Sequence, residues 1–368
     1  MRITKLSLEL FRSYEHGEIQ FVDGTNIVYG ENAQGKTNLL EAIFVFCTGR
    51  SHRSSVNKEI IYNNGDYSRI YVDFSDSVRD YHGSMKIYDG KKKMVTINDM
   101  PIKRISEISE YINVVMFAPE DLSIIKDEPS VRRRFADMAI GQLRPMYISL
   151  LTDYNKVLIQ RNNLLKSIKK NRSAHDTIDI WNERLASLGS DITVYRNEFF
   201  NEIRPIAASI HREITGETLD VQYISSICGV GSTNSGKDRI RDLLLKKLED
   251  SIYRDIELGT TGSGTHRDDF ECVIDGRNAR RYGSQGQQRS VVLSLKLAQT
   301  ELIKLSRGAY PIILLDDIMS ELDESRRMYL AGKILGKQVI LTCTDRQSVH
   351  VEGNVAHFKV NNSKVERT

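Results

Sequence analysis

The 368-residue sequence predicts an α/β fold with an inserted α-helical arm, on three observations. Near the N-terminus a glycine loop stands between a short apolar run and a helical stretch. Near the C-terminus a second apolar run ends in paired carboxylates. Between them, residues 146–214 step through their apolar positions by threes and fours, the period of helices lying side by side.

The loop is Gly30-Glu31-Asn32-Ala33-Gln34-Gly35-Lys36-Thr37, which reads G-x-x-x-x-G-K-[ST]. Asn26-Ile27-Val28-Tyr29 ahead of it predicts a buried strand, and Asn38 to Cys47 behind it carries Leu39, Leu40, Ile43, Phe44 and Phe46 at helical spacing. Strand, glycine loop and helix are the context the motif requires. Gly30 and Gly35 allow backbone angles and close approaches that a Cβ would block. Loop N–H groups then converge on phosphate oxygens at the positive end of a helix dipole. Lys36 is expected to reach the β- and γ-phosphates and the Thr37 hydroxyl to ligate Mg²⁺, so the chain is expected to bind a nucleoside triphosphate.

Composition fits that expectation without sharpening it. Hydrophobic residues at 40% and charged residues at 27% describe an ordinary globular chain, and a net charge of +3 leaves nucleic-acid binding to local basic patches. Cys47, Cys228, Cys272 and Cys343 are scattered without a C-x-x-C pair, which predicts free thiols in a reducing, cytoplasmic setting. No apolar run approaches membrane-spanning length, and the N-terminus alternates like a strand rather than a signal peptide.

In chain order, residues 3–10 and 18–29 predict strands around a polar turn at Phe11-Arg12-Ser13-Tyr14-Glu15. Strands are expected at 69–74, at 84–88 and 94–97 as a hairpin across Asp89-Gly90-Lys91-Lys92-Lys93, and at 111–118. Helices follow from Ser130. The seam of residues 146–170 runs through Tyr147, Leu151, Tyr154, Leu158, Leu165 and Ile168 with Arg161 interrupting it, and Pro205 inside the second long helix predicts a kink. A polar turn at 169–176 joins the two helices, a glycine- and serine-rich segment spans 228–236, and Asp238 to Asp255 reads as one charged helix. The expected divisions are an N-terminal lobe at 1–122, an inserted helical domain at 123–256 and a C-terminal lobe at 257–368.

Pro311-Ile312-Ile313-Leu314-Leu315-Asp316-Asp317 is the second half of the site. Buried parallel strands read as continuous apolar runs, and open α/β sheets bind ligands at the C-terminal ends of their strands. Asp316 is placed to hold Mg²⁺, directly or through water, and Asp317 to orient or deprotonate an attacking water. Tyr282-Gly283-Ser284-Gln285-Gly286-Gln287-Gln288-Arg289 precedes an apolar helix, 290–305, so Ser284 and the glycines sit at a helix N-terminus suited to a second anion. One phosphate loop plus a distant second anion reader suggests two chains enclosing two nucleotides.

Ser284-Gln285-Gly286-Gln287 resembles the signature of ABC-type ATPases and Ser320-Glu321-Leu322-Asp323 their D-loop. With Phe11-Arg12-Ser13-Tyr14, the loop through Asn38, Pro119-Glu120-Asp121-Leu122, Arg132-Arg133-Arg134 and His266-Arg267-Asp268-Asp269, the sequence resembles the RecF family over nearly its whole length. That resemblance implies an ABC-type, SMC-like P-loop ATPase head with an inserted α-helical arm. It implies ATP and Mg²⁺ as cofactors, with Lys36 and Asp317 catalytic, and Gly30 to Asn38, Arg12, Ser284, Gly286 and Gln287 at the nucleotide. Thr37 and Asp316 would hold the metal. It further implies an ATP-dependent homodimer on gapped or junction DNA, slow hydrolysis, and cooperation with RecR and RecO in loading the strand-exchange protein. Three positions depart from the pattern: Asp317 stands where many relatives have Glu, Thr342-Cys343-Thr344-Asp345 where a switch His is usual, and Thr265 where Pro more often precedes His266.

Candidate phosphate contacts for DNA are Arg132 to Arg134, Arg277 with Arg280 and Arg281, and Lys166, Lys169, Lys170 and Arg172. No helix-turn-helix, zinc or aromatic stacking motif supports sequence-specific readout. Two other classes share part of the pattern: a transporter's nucleotide-binding subunit, and a small-molecule kinase that would have no need of the Ser284 segment.

Overall fold

A computed structural model describes residues 1–54, 56–170, 177–230, 236–346 and 353–368. Arg172, the expected turn from residue 171 on, and residues 231–235 of the glycine- and serine-rich segment lie outside the described residues. The chain divides into two compact units: Met1–Asp121 with Lys296–Thr368, and Leu122–Leu295. Residues 257–295, expected to belong to a C-terminal lobe, fall in the second unit.

The first unit begins with strands β1 (Arg2–Phe11), β2 (Tyr14–Gln20) and β3 (Thr25–Tyr29) and helix α1 (Lys36–Thr48). Strands β4 (Tyr67–Ser75), β5 (Asp80–Tyr88), β6 (Met94–Ile97), β7 (Met100–Pro101) and β8 (Val114–Phe117) follow. An antiparallel sheet runs in the order β2-β1-β4-β5-β6-β7. Period-two alternation buries Leu6, Leu8, Ile70, Val72, Phe74, Met85 and Ile87 on one face. Phe46 of α1 packs edge-on to Phe74, and Gly83 makes room for it, since a Cβ there would lie 2.2 Å from the Phe46 ring. The expected polar turn is narrower than its sequence suggests: Phe11 and Tyr14 pair across the hairpin, both fully buried, and only Arg12-Ser13 remain as the turn. At the β5–β6 hairpin Lys93 is not simply solvated; its ammonium donates to the Gly49 carbonyl at 2.9 Å.

In the second unit come helices α2 (Ser123–Lys126), α3 (Pro129–Leu143), α4 (Pro145–Lys170) and α5 (Ile178–Thr215), then strands β9 (Leu219–Ser225) and β10 (Gly229–Val230). Helices α6 (Lys237–Asp250) and α7 (Ile252–Leu258), strands β11 (Asp269–Ile274) and β12 (Arg277–Asn278), and helix α8 (Ala279–Tyr282) complete it. Helix α9 (Gln285–Arg307) carries the chain back into the first unit. Helices α4 and α5 pack together as their apolar period predicts, but α5 also packs on α6 and β9. Leu165, Ile168 and Ile178 share a core with Ile252 and Ile256 of α7, so the helical pair is folded into a unit with its own sheet, β10-β9-β11-β12. The expected single helix at 238–255 breaks at Ser251, where α7 turns to cover that core. Helix α5 runs through Pro205 as one element.

The first unit closes with β13 (Ile312–Leu315), α10 (Ile318–Glu321), α11 (Glu324–Ile334), β14 (Val339–Cys343), β15 (Val355–Asn361) and β16 (Lys364–Arg367). They build a sheet in the order β16-β15-β3-β14-β13-β8, parallel except at β16. Every residue of β8, β13 and β14 is buried, as a parallel sheet covered on both faces requires. The C-terminal ends of β3 and β13 lie on either side of β14, which brings the glycine loop and the paired acids to one edge.

A candidate phosphate-loop and divalent-cation site

Gly30 closes β3 with φ +153°, and a Cβ there would sit 2.4 Å from the Val360 carbonyl oxygen, so only glycine fits beside β15. Gly35 takes φ +106° and ends the loop against Tyr14, whose hydroxyl donates to the Gly35 carbonyl at 3.1 Å. Lys36 is buried, and its ammonium donates to the Gly30 and Glu31 carbonyls at 2.7 and 2.8 Å, folded back inside the loop. From the other side the turn between β15 and β16 holds Gln34: the Asn362 N–H donates to its side-chain oxygen at 2.6 Å and the Ser363 N–H to its carbonyl at 3.1 Å. Glu31, Asn32 and Ala33 are exposed.

Asp316 is buried, and its backbone N–H donates to the Phe117 carbonyl at 2.9 Å. Its Oδ1 accepts from the Thr37 hydroxyl at 3.0 Å and from the Thr342 hydroxyl at 2.7 Å. Burial pushes the Asp316 carboxyl above its ordinary range; the two hydroxyls pull it down, while the nearby charges of Asp317 and Glu120 push it further up. Asp317 is half-buried in the left-handed region, φ 47°, held by its N–H to Thr342 Oγ1 at 2.9 Å and by the Ser320 hydroxyl on its carbonyl at 2.7 Å. A non-glycine residue pays on the order of 1 kcal/mol for that conformation, a cost that clusters at functional sites.

Arg12, whose φ is 52°, forks onto Glu41 with Nε at 2.9 Å and Nη2 at 2.6 Å, and donates to the Glu59 carbonyl at 2.6 Å. Glu41 is fully buried and also accepts from Ser51 Oγ. Asn38 donates to Ser13 Oγ at 2.9 Å, which also meets Ser363 Oγ at 2.7 Å. At the end of β8 the Lys296 ammonium joins the Met116 carbonyl at 2.9 Å and Asp121 at 2.7 Å. The first unit therefore gathers Gly30 to Asn38, Arg12, Asp316 and Asp317 about one edge. It gives Thr342 and Glu120, which the motifs named without a role, a place beside Asp316, and adds Glu41 and the Asn362-Ser363 turn, which no motif announced.

Ser284, Gly286 and Gln287 lie in the second unit, at the start of α9. The Gln287 N–H donates to Ser284 Oγ at 3.2 Å while the Ser284 N–H donates to Gln287 Oε1 at 2.8 Å, a reciprocal capping box. Ser284 and Gln285 are exposed. His266 accepts at Nδ1 from the Tyr154 hydroxyl at 2.8 Å and donates from Nε2 to the Thr261 carbonyl at 3.0 Å, and burial lowers its pKa to about 4. It is a neutral tie between α4 and the loop before β11. Arg132 is removed from the candidate DNA contacts: it is buried, with Nε at 2.6 Å and Nη2 at 2.9 Å from the Asp269 carboxylate.

The family model described as RecF/RecN/SMC N terminal domain matches residues 2–366. The chain is 43% identical over 94% of its length to the DNA replication and repair protein RecF of Lachnoclostridium phytofermentans, covering 93% of that protein. It is 39% identical over 99% of both chains to that of Clostridium acetobutylicum. This chain belongs to the RecF family of DNA replication and repair proteins. A solved structure of the recombination mediator protein RecF with ATP, in the RecFOR pathway, superposes with a TM-score of 0.93 at 34% identity, covering 100% of this chain and 97% of that one. An Smc head bound to the C-winged helix domain of ScpA gives a TM-score of 0.56 at 16% identity, a likeness of fold alone, over 100% of this chain and 97% of that one. The RecF-family chain thus has the ABC-type, SMC-like ATPase head fold expected from its sequence, and the transporter reading is not favoured. Among the described residues no helix is long and apolar enough to cross a membrane.

Proposed function

We propose that this chain is an ATP-dependent DNA-binding protein of recombinational repair and replication-fork maintenance. ATP binding would drive two heads together on gapped or junction DNA, slow hydrolysis would release them, and RecR, with RecO through it, would cooperate in loading the recombinase on single-stranded DNA. One observation carries the chemical part: Thr37 Oγ1 lies 3.0 Å from Asp316 Oδ1, so the phosphate loop and the acidic strand end share one floor.

That floor fits Mg²⁺. A hydroxyl and a carboxylate are hard oxygen ligands, and Mg²⁺ in such sites keeps waters and phosphate oxygens rather than an all-protein cage. A cluster of three side-chain ligands is therefore not required, and none is found among the described residues. Mg²⁺ bound there supplies positive charge to the triphosphate. Lys36, turned from the loop carbonyls, reaches the β- and γ-phosphates, and the loop N–H groups cradle them. Asp317 orients or deprotonates the attacking water. Arg12, braced on Glu41, and Asn38, braced on Ser13, complete the cis side, while Ser284, Gly286 and Gln287 of the partner head reach the γ-phosphate. As functional divisions we propose a head in lobes 1–122 and 257–368 and an arm domain at 123–256, with residues 257–295 of the head's second lobe belonging to the same compact unit as the arm helices.

Sedimentation with a slowly hydrolysed ATP analogue tests this reading. Wild type is expected to dimerise with nucleotide; Lys36→Met to lose nucleotide binding and stay monomeric; Asp317→Asn to bind and remain dimeric without turnover; Ser284→Arg to bind as a monomer. A Ser284→Arg protein that still dimerised with nucleotide would end the shared-site account.

A further inference from the structure

Beyond the nucleotide site, the outward face of β4 and β5 collects groups that a merely solvated sheet would not. Register sets Tyr67 opposite Tyr88, Arg69 opposite Lys86, and Tyr71 opposite Ser84. The Tyr67 and Tyr88 rings lie 6.4 Å apart, and the Lys86 ammonium sits 4.2 and 5.0 Å from their centroids. Lys91, in the following turn, lies 5.5 Å from the Tyr88 centroid, and the Arg69 guanidinium 5.6 Å from that of Tyr71.

Like charges directly opposed across antiparallel strands are destabilising, and a sheet needing only solubility would set a carboxylate opposite Arg69 on β5. Glu9, on the β1 side, serves Arg69 at 3.6 Å and accepts the Tyr67 hydroxyl. Lys86 has no carboxylate partner among the described residues. Rows of outward residues repeat about every 7 Å along a strand, so ring faces and cations alternate at that step. An anionic polymer with exposed π-faces matches this pattern. Single-stranded nucleic acid has both, whereas a duplex presents phosphates and base edges but keeps its ring faces stacked.

We propose that the β4–β5 face is a stacking platform for single-stranded DNA, with Tyr67, Tyr88 and Tyr71 receiving bases and Lys86, Lys91 and Arg69 receiving phosphates. A base stacked on an aromatic ring outweighs an exposed cation–π contact, so an arriving base displaces the Lys86 ammonium from the ring and the ammonium turns to the adjoining phosphate. The inference rests on the DNA-binding reading above and adds where the unpaired strand of a gap or junction lies.

Anisotropy with an oligo-dT strand and with a duplex, at one fixed salt concentration and with the slowly hydrolysed ATP analogue, tests it. Tyr67→Ala with Tyr88→Ala is expected to weaken oligo-dT binding by about tenfold or more, while duplex affinity stays within about twofold. The matching pair of Phe substitutions, which keeps the rings, is expected to retain single-strand affinity. Nucleotide-dependent dimerisation reports that each variant is folded; should the Ala pair fail it, Lys86→Glu and photocrosslinking of wild type to an iododeoxyuridine strand decide instead. Crosslinks on β4 or β5 support the platform, and crosslinks confined to other elements overturn it, as does unchanged oligo-dT affinity in the Ala pair. Wild type that binds duplex but not oligo-dT also overturns the platform and leaves the DNA-binding reading standing; wild type that binds neither sinks that reading.

Discussion

Two clusters of buried charge in this molecule are built on opposite terms. In the second unit the buried carboxylates of Asp255 and Asp268 each have a cation: Arg161 meets Asp255 at 2.8 Å with Asn182 and Thr261 around it, and Arg196 meets Asp268 at 2.7 Å and the half-buried Asp137 at 2.9 Å. At the phosphate-loop floor Asp316 is also buried, and that burial raises its pKa, with the charges of Asp317 and Glu120 adding to the rise rather than offsetting it. A paired cluster holds structure, whereas an acid cluster without an ion pair is where the proposed Mg²⁺ would be held.

The largest expected effect lies on the paired side. Arg196→Met leaves the buried Asp268 and the half-buried Asp137 without that cation and should cost about 3–5 kcal/mol, read as a lower urea midpoint for the second unit. At the floor the direction should reverse. Asp316→Asn removes a buried charge for which no ion pair is found among the described residues, so the nucleotide-free protein is expected to melt higher than wild type while losing the proposed stabilisation by Mg²⁺ with nucleotide. A lower melting temperature would mean that Asp316 is structural.

The two regions should also answer acid with opposite signs. His266, with a folded pKa of about 4 against about 6.5 unfolded, contributes stability that is complete above pH ~6.5 and fades as pH falls toward 4. Asp316 is raised, so its ionised form is penalised in the fold. It destabilises the nucleotide-free head above its folded pKa, and that penalty is relieved as pH falls through that pKa toward ~3.8. Protonation there also competes with metal, so Mg²⁺ affinity should fall at a higher pH than an ordinary aspartate would give. Melting curves of wild type, His266→Gln and Asp316→Asn across pH 4 to 8 separate the two contributions. Each tenfold difference in proton affinity between the folded and unfolded chain is worth about 1.4 kcal/mol. The smallest effect is Ser284→Ala, which removes one side of the capping box at α9 and should cost about 1 kcal/mol of stability.

Legibility in the sequence followed locality. The glycine loop, the strand before it and the run into Asp316-Asp317 are short contiguous signals, and each folds as its pattern predicts. The step of threes and fours through α4 and α5 likewise yields two long helices. Arg161 reads as a flaw in that seam because its partner Asp255 is 94 residues away. The strand β9 is legible in the alternation of Leu219, Val221, Tyr223 and Ser225 but is short and stands next to a glycine-rich tract. Thr342 stands in a segment the sequence singled out, but its bond to Asp316 is legible only once β14 is known to lie between β3 and β13. The hold of Asn362-Ser363 on Gln34 spans more than three hundred residues, and no local pattern encodes it. The aromatic and cationic face is hidden for the same reason. Tyr67, Arg69 and Tyr71 alternate visibly, but their meaning depends on the register that sets them against Tyr88 and Lys86.

The most direct measurement is calorimetric titration of a slowly hydrolysed ATP analogue into wild type and Asp316→Asn, each with Mg²⁺ and with a chelator. Mg²⁺ is expected to tighten binding to wild type by about tenfold or more and to do little for the variant, as would follow if Asp316 held the cation. Equal dependence on Mg²⁺ in both proteins would contradict the account.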